Sequence, residues 1–178
     1  MYIKNTDIAK SVLLVAVPYL LLGAIFGKLF RESGGEVLGA SLMATFTFAG
    51  TSQFVALRNL DLNVFALFII IFVINIRHVA YILDCKKEIG SSGFASMYLC
   101  LSMTDENYSL LKIYKQRKII PTKKQLCAMF FSTHCFWVSG CCFGSFAFVN
   151  LSLKGGEFIL TSLFVIIVTN SILEFKWK

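Results

Sequence analysis

The sequence predicts an all-α polytopic helical membrane protein forming a single transmembrane domain over residues 1–178, and three observations carry that prediction. Hydrophobic residues make up 57% of the chain and charged residues only 15%, whereas soluble domains are about a quarter charged. The apolar residues, 18 Phe among them, fall in runs that approach or reach the roughly twenty residues a spanning helix needs. None of these runs shows the short alternation of a barrel strand, so the backbone must satisfy its own hydrogen bonds by forming helices.

The apolar runs cover residues 11–30, 37–57, 64–83, 94–111, 126–149 and 158–175, which predicts about six apolar segments with at least one broken helix. The first follows Lys4 and Lys10, as a secretory leader would. It continues past Pro18 to Phe30 with no small-residue cleavage pattern, and is therefore read as a retained membrane helix. The second ends in Phe48-Ala49-Gly50-Thr51-Ser52-Gln53-Phe54, where a glycine and three polar residues interrupt the apolar run. A discontinuous helix frees backbone N–H and C=O groups, which a membrane tolerates only where they line a cavity or bind something. A half-helix N-terminus suits a carboxylate there, and carbonyls or a nearby acid suit an ammonium. The alternative is that Thr51 and Ser52 bond back to their own helix while Gly50 permits close packing.

The third segment carries Asn75-Ile76-Arg77-His78 and then turns apolar again through Val79-Ala80-Tyr81-Ile82-Leu83. An amide, a guanidinium and an imidazole within one turn are costly in hydrocarbon and point to a substrate or ion path. The fourth segment holds Thr104-Asp105-Glu106-Asn107. Arg77 is expected to approach Asp105 or Glu106, which project about 100° apart on a helix and cannot both face it. The remaining carboxylate is then free to carry a proton, with His78 as the other proton carrier. The competing reading makes this segment a surface amphipathic helix with its acids in water. Gly23 with Gly27 in the first segment, and Gly140 with Gly144 in the fifth, form small-xxx-small pairs that predict close helix packing. No internal repeat between the two halves is evident.

The net charge of +7 does not describe a nucleic-acid groove, because the basic residues concentrate in one loop: Lys112, Lys115, Arg117, Lys118, Lys123 and Lys124 around Pro121. The positive-inside rule makes that loop cytoplasmic, where it would also meet anionic lipid of the bilayer. With six spans both termini are cytoplasmic, whereas a re-entrant fourth segment would invert part of this arrangement. Lys4, Lys10, Arg58, Lys176 and Lys178 then share that side, and Lys28, Arg31, Lys86, Lys87 and Lys154 face outward. Cys85, Cys100, Cys127, Cys135, Cys141 and Cys142 show neither C-x-x-C nor paired-His spacing, so no metal or other cofactor is expected and they behave as small hydrophobes. His134 reads as a packing residue. There is no H-E-x-x-H, G-x-S-x-G or phosphate-cradling loop, which argues against an enzyme and against an ATP-driven pump.

The run Phe48 to Phe54, then Asn75-Ile76-Arg77-His78, then Thr104-Asp105-Glu106, then Trp137 with Gly140, resembles the AzlC-type branched-chain amino acid permease family. In that family the pattern runs F-A-G-x-[SA]-[QE]-F, N-x-R-H and [TC]-D-E, and the resemblance extends from about Pro18 to about Phe164. It implies the large subunit of a two-component exporter of branched-chain amino acids in the bacterial inner membrane, working with a small hydrophobic membrane subunit of the AzlD type. It makes Gly50, Gln53, Asn75, Arg77, His78, Asp105 and Glu106 the positions to test. Family members carry further apolar helices beyond the segment matching residues 158–175, so the chain reads as C-terminally shortened.

Together these readings describe a proton-coupled secondary transporter subunit. Gly50, Thr51, Ser52, Gln53, Asn75, Arg77 and His78 would meet the substrate, and Asp105, Glu106 or His78 would handle the proton. The rivals are a membrane scaffold or regulatory subunit with a purely structural charged cluster, an inactive truncated permease, and an intramembrane enzyme using His78 and Glu106.

Overall fold

The computed structural model describes residues 5–90, 92–119 and 121–147, so the predicted segment at 158–175 lies outside the described residues. These form α1 (Asn5–Glu32), α2 (Val37–Thr47), α3 (Gly50–Arg58), α4 (Val64–Asp84), α5 (Lys86–Ile89), α6 (Phe94–Leu101), α7 (Asp105–Gln116) and α8 (Lys123–Ala147). No strand occurs among the described residues.

Among the described residues, three helices are long and apolar enough to cross a membrane: Ile8–Glu32 within α1, all of α4, and all of α8. The sequence predicts about six apolar segments, of which the sixth lies outside the described residues; the first, third and fifth are these long helices. The second predicted segment is the pair α2 and α3, and the fourth is the pair α6 and α7, each half too short to cross alone. At the first break the chain reverses through Phe48, whose φ of 25° lies in the left-handed region. The cost of that conformation for a non-glycine residue is offset by packing, because the Phe48 ring stacks on His134 with centroids 4.2 Å apart. At the second break Thr104 is extended and its hydroxyl accepts from the Asn107 backbone N–H, so polar residues start α7 by an ordinary N-cap.

The scaffold is the close pair α1 and α8. A Cβ on Gly23 would sit 2.8 Å from the Trp137 carbonyl oxygen, and one on Gly27 would sit 2.1 Å from that of Cys141. From the other side, Gly140 faces the Leu20 carbonyl and Gly144 that of Ala24. Both predicted small-xxx-small pairs therefore pack on each other, and the matching order of the contacts makes the two helices parallel.

Residue pairs along this scaffold give the course of the rest. Ser41 of α2 meets Cys142 at 2.9 Å, the break meets His134 and Trp137, and Phe54 of α3 returns to Phe26 with ring centroids 5.5 Å apart. The broken pair α2–α3 thus enters and leaves at the end of the bundle where α1 finishes. The pair α6–α7 does the reverse. Lys123 at the start of α8 donates to Ser96 of α6 at 2.6 Å, the break meets Thr133, and Lys115 at the end of α7 is 3.4 Å from Glu88 of α5. Helix α4 connects the two ends and runs antiparallel to α8.

Consequently α2–α3–α4 and α6–α7–α8 share one order, short helix, break, short helix, long helix, and run in opposite directions. This inverted arrangement was not visible as a sequence repeat. It also revises the predicted sidedness. Lys86 and Lys87 lie at the same end as the basic loop, because neither broken pair crosses from one end to the other, and Arg58 lies at the opposite end with Lys28 and Arg31.

The core forms where the breaks meet α1 and α8, around Phe26, Leu99, Met103, Leu111, Leu126, Met129 and Phe130. Lys28 is also buried, paired one turn on with Glu32. By contrast α4 has no buried residue. It exposes Val64, Phe65, Phe68, Phe72, Ile76 and Leu83, a surface suited to hydrocarbon.

Candidate functional site

The two breaks face each other across the middle of the bundle, and side chains from α1, α4 and α8 close the space between them. At the first break α3 begins at Gly50 behind Ala49, which gives no side-chain cap. The first-turn N–H groups of α3 therefore keep the positive end of the helix dipole uncapped by any side chain. A Cβ on Gly50 would come within 2.9 Å of the Trp137 ring, so the glycine is what lets the chain pass that indole. Thr51 and Ser52 do not turn back on α3. Ser52 donates to Asn75 Oδ1 at 3.0 Å, and Thr51 Oγ1 accepts from Arg77 at 3.2 Å.

Gln53 is wholly buried. Its Nε2 donates to the Met43 carbonyl of α2 at 2.8 Å, and its Oε1 accepts from Trp137 Nε1 at 3.0 Å. Both ends of the amide are used by the protein, which makes Gln53 a brace across the break.

Asp105 and Glu106 occupy the first turn of α7, where the helix dipole favours negative charge. They diverge. Asp105 Oδ2 lies 3.0 Å from Arg77 Nη1, and its Oδ1 accepts from the Tyr81 hydroxyl at 2.8 Å. Glu106 instead accepts from the Tyr19 hydroxyl at 2.7 Å, and the same hydroxyl is 2.8 Å from Thr104 Oγ1. Arg77 thus links Thr51 at one break to Asp105 at the other. Its Nε is buried with no hydrogen-bond partner among the described residues. The Arg77 and Asp105 side chains keep 33% and 37% of their surface exposed, so the pair is not sealed inside the core.

His78 stands apart from this constellation. Its Nδ1 meets the Asn75 carbonyl of its own helix at 3.0 Å and its ring edges onto Tyr81 at 5.9 Å. Asn75 and Arg77 sit near the midpoint of α4, not at its end.

Residues outside the predicted set complete the site. Tyr19, buried next to Pro18 in α1, packs edge-on against Trp137 at 5.5 Å and Phe48 at 6.2 Å. Tyr19, Phe48 and Trp137 thereby make an apolar aromatic wall beside the charged groups. At the second break Asn107 repeats the part played by Gln53: wholly buried, its Nδ2 donates to the Ser102 carbonyl at 2.9 Å and its Oδ1 is 3.2 Å from Thr133 Oγ1. The signal for these residues is a hydroxyl or amide inside an apolar run, which needs a partner once buried. Spacing alone does not reveal which partner.

A further polar cluster lies at the basic end. Asp84 meets Lys112 at 3.1 Å and Lys115 at 3.6 Å, and accepts from Tyr108 at 3.2 Å; Lys115 also reaches Glu88. The Asp84 carboxylate and the Tyr108 hydroxyl beside Lys112 hold its ammonium above the usual lysine range. The six cysteines are free, and no group of His, Cys, Asp or Glu among the described residues is arranged to hold a metal ion.

The family model described as AzlC protein matches residues 14–151, which include all of these groups. The chain is 27% identical over 157 residues to a protein of Helicobacter pylori (strain ATCC 700392 / 26695) described as an uncharacterized membrane protein, covering 86% of this chain and 69% of that one. It is 30% identical over 158 residues to the branched-chain amino acid transport protein AzlC of Bacillus subtilis (strain 168), covering 84% of this chain and 60% of the Bacillus protein. A membrane protein of Haemophilus influenzae is 29% identical over 183 residues, covering 96% of this chain and 74% of its own length. No solved structure matches the chain. With its three long apolar helices and two broken pairs, the protein is a helical membrane protein that belongs to the AzlC family.

Proposed function

We propose that this protein is the large subunit of a secondary transporter that exports branched-chain or similarly apolar amino acids across the bacterial inner membrane, driven by the proton gradient and assisted by a small hydrophobic AzlD-type subunit. The observation that carries this reading is Arg77, which bridges Thr51 at the start of α3 and Asp105 at the start of α7 while keeping Nε unused. A charge network joining two discontinuous helices within an inverted arrangement is the kind of site at which secondary transporters hold charged substrates.

In this proposal the substrate carboxylate docks on the uncapped N–H groups of Gly50, Thr51 and Ser52 together with Arg77, and the ammonium displaces Arg77 from Asp105. The apolar side chain lies on the wall of Tyr19, Phe48 and Trp137. Asn75 holds Ser52 in position, and Glu106, hydrogen-bonded to Tyr19, carries the proton that couples the cycle. His78 takes a lesser part, since its ring is committed to its own helix and to Tyr81. The basic loop faces the cytoplasm, now with Lys86 and Lys87 beside it, which fits the positive-inside rule.

Efflux of preloaded labelled valine, leucine and methionine from cells expressing the chain, alone and with an AzlD-type subunit, tests the proposal. Partner-dependent efflux of the branched residues that Asp105→Asn abolishes is the expected result. Normal membrane insertion without efflux in either case would leave the charged network a structural clamp.

A further inference from the structure

The side chains that attach α4 to α7 form a continuous polar seam that extends well beyond the two breaks. From the site outward it runs through Arg77, Asp105, Tyr81, Tyr108 and Asp84 to Lys112, Lys115 and Glu88. Tyr81 is the hinge of this series. Its hydroxyl donates to Asp105, while its ring stacks on Tyr108 with centroids 4.2 Å apart and planes 10° from parallel. Tyr108 in turn reaches Asp84, and Lys112 lies 5.6 Å over the Tyr108 ring.

Three features distinguish this seam from ordinary helix packing. Helix α4 buries none of its residues, so polar and aromatic side chains hold it to α7 in place of an interdigitated apolar face. The opposite flank of α7 is sealed: Leu110 and Leu111 are buried with Leu126, Met129 and Phe130 of α8. Finally, each end of the seam keeps an unused polar atom, Arg77 Nε inside and Glu88 Oε2 outside, both buried and without a partner among the described residues. Such atoms are costly unless something else meets them. The outer end, two lysines facing two carboxylates, offers complementary charge to both ends of a zwitterion.

We infer that the α4–α7 seam is the route by which a zwitterionic amino acid passes between the Thr51–Arg77–Asp105 site and water at the basic end, and that the stacked Tyr81 and Tyr108 rings are its gate. This inference rests on the proposed substrate site. With the rings stacked, the flat faces close the seam between Asp105 and Asp84. Parting them joins the inner site to the mouth formed by Lys112, Lys115 and Glu88, whose ammonium groups meet the substrate carboxylate.

The gate is testable without transport. Thr51→Cys serves as the inner reporter, labelled in membrane vesicles by an impermeant cationic thiosulfonate reagent and counted above the same protein lacking that substitution. With the stack intact, labelling from the basic-loop side is slow. Tyr108→Ala is expected to accelerate it about tenfold from that side only, as loss of a gate should. Tyr108→Phe, which keeps the stack but loses the hydroxyl on Asp84, should label like the parent. Tyr108→Leu replaces the alanine variant if the latter is not recovered in the membrane. Unchanged labelling in Tyr108→Ala or Tyr108→Leu, or acceleration from the opposite side, overturns the gate. Protection of Thr51→Cys by excess valine is read separately: its absence counts against the substrate site, while the labelling rates still report on the gate.

Discussion

Thr133 and Trp137 stand one turn apart on the buried side of α8, and between them they hold both helix breaks. Trp137 donates to Gln53 and Thr133 lies against Asn107; each buried amide then donates to a carbonyl near the end of the preceding half-helix, Met43 or Ser102. The two discontinuities are thus fixed to one rigid rod, which sets the distance between the starts of α3 and α7 and so the span that Arg77 must bridge.

Replacing either brace by an apolar residue tests that arrangement. Gln53→Leu strands the Met43 carbonyl and the Trp137 N–H, and Asn107→Leu strands the Ser102 carbonyl. A buried polar group left without its partner costs about 1–3 kcal/mol. Both variants are therefore expected to lose thermal stability in detergent relative to wild type, read by size-exclusion chromatography of heated samples. A variant that stays monodisperse at the wild-type transition temperature would show that its amide is not a brace.

Gly50→Ala probes the same break from the backbone. The new methyl would lie 2.9 Å from the Trp137 ring, and that ring is pinned by its bond to Gln53 and its edge contact with Tyr19. Overpacking of this kind typically costs about 1–3 kcal/mol, and here it also shifts the start of α3. Transport is expected to fall well below wild type at normal expression, with partial recovery in the Gly50→Ala, Trp137→Phe double variant, whose smaller ring restores the space. No recovery, in a background where Trp137→Phe alone transports like wild type, would mean that the indole is not the obstacle.

How much of this was legible in the sequence follows from what each residue's partner is. The break at residues 48–49 could be read because a glycine and three polar residues interrupt an apolar run, a purely local signal. Helix α4 was read almost to the residue, since its apolar run has abrupt polar borders at Asn63 and Asp84. The glycine pairs announced close packing but not their mutual partnership, which depends on α1 and α8 meeting in space. The fourth segment resisted because its apolar residues continue across Ser102 and Thr104, so hydropathy alone could not reveal that the chain turns back there and α7 returns to the end where α6 began. The predicted sidedness of Arg58, Lys86 and Lys87 failed for that same reason. Arg77 was recognisable as a cation needing an acid, whereas Tyr19 and Tyr81, which divide the two acids between them, sit in apolar runs where tyrosine is unremarkable.

The α1–α8 pair should be the least forgiving part of the molecule. A Cβ at Gly144 would come within 1.9 Å of the Ala24 carbonyl oxygen, and one at Gly27 within 2.1 Å of that of Cys141. In both cases the obstacle is backbone, which cannot swing aside as a side chain does. Gly27→Ala and Gly144→Ala are each expected to reduce the folded, membrane-inserted yield sharply, while Phe65→Ala on the exposed face of α4 stays within about 0.5 kcal/mol of wild type, as surface positions usually do. Equal yields for the three variants would contradict the assignment of α1–α8 as scaffold.

Arg77→Lys separates a functional network from a structural clamp. Arginine reaches Thr51 with one terminal nitrogen and Asp105 with the other, a fork that a lysine ammonium on a single flexible stem does not reproduce. Lysine keeps the positive charge beside Asp105, so the ion pair and the fold are expected to survive, with wild-type insertion and detergent stability. The bridge between the breaks is lost, and with it the shared contact through which, in the proposed mechanism, substrate at one break releases the acid at the other. Efflux of labelled valine should fall about tenfold or more, equivalent to at least about 1.4 kcal/mol in the transport barrier. If Arg77→Lys instead transports at the wild-type rate, charge alone suffices and the geometry of the guanidinium carries no function. If it loses stability and transport in parallel, Arg77 acts chiefly as a clamp between α3, α4 and α7.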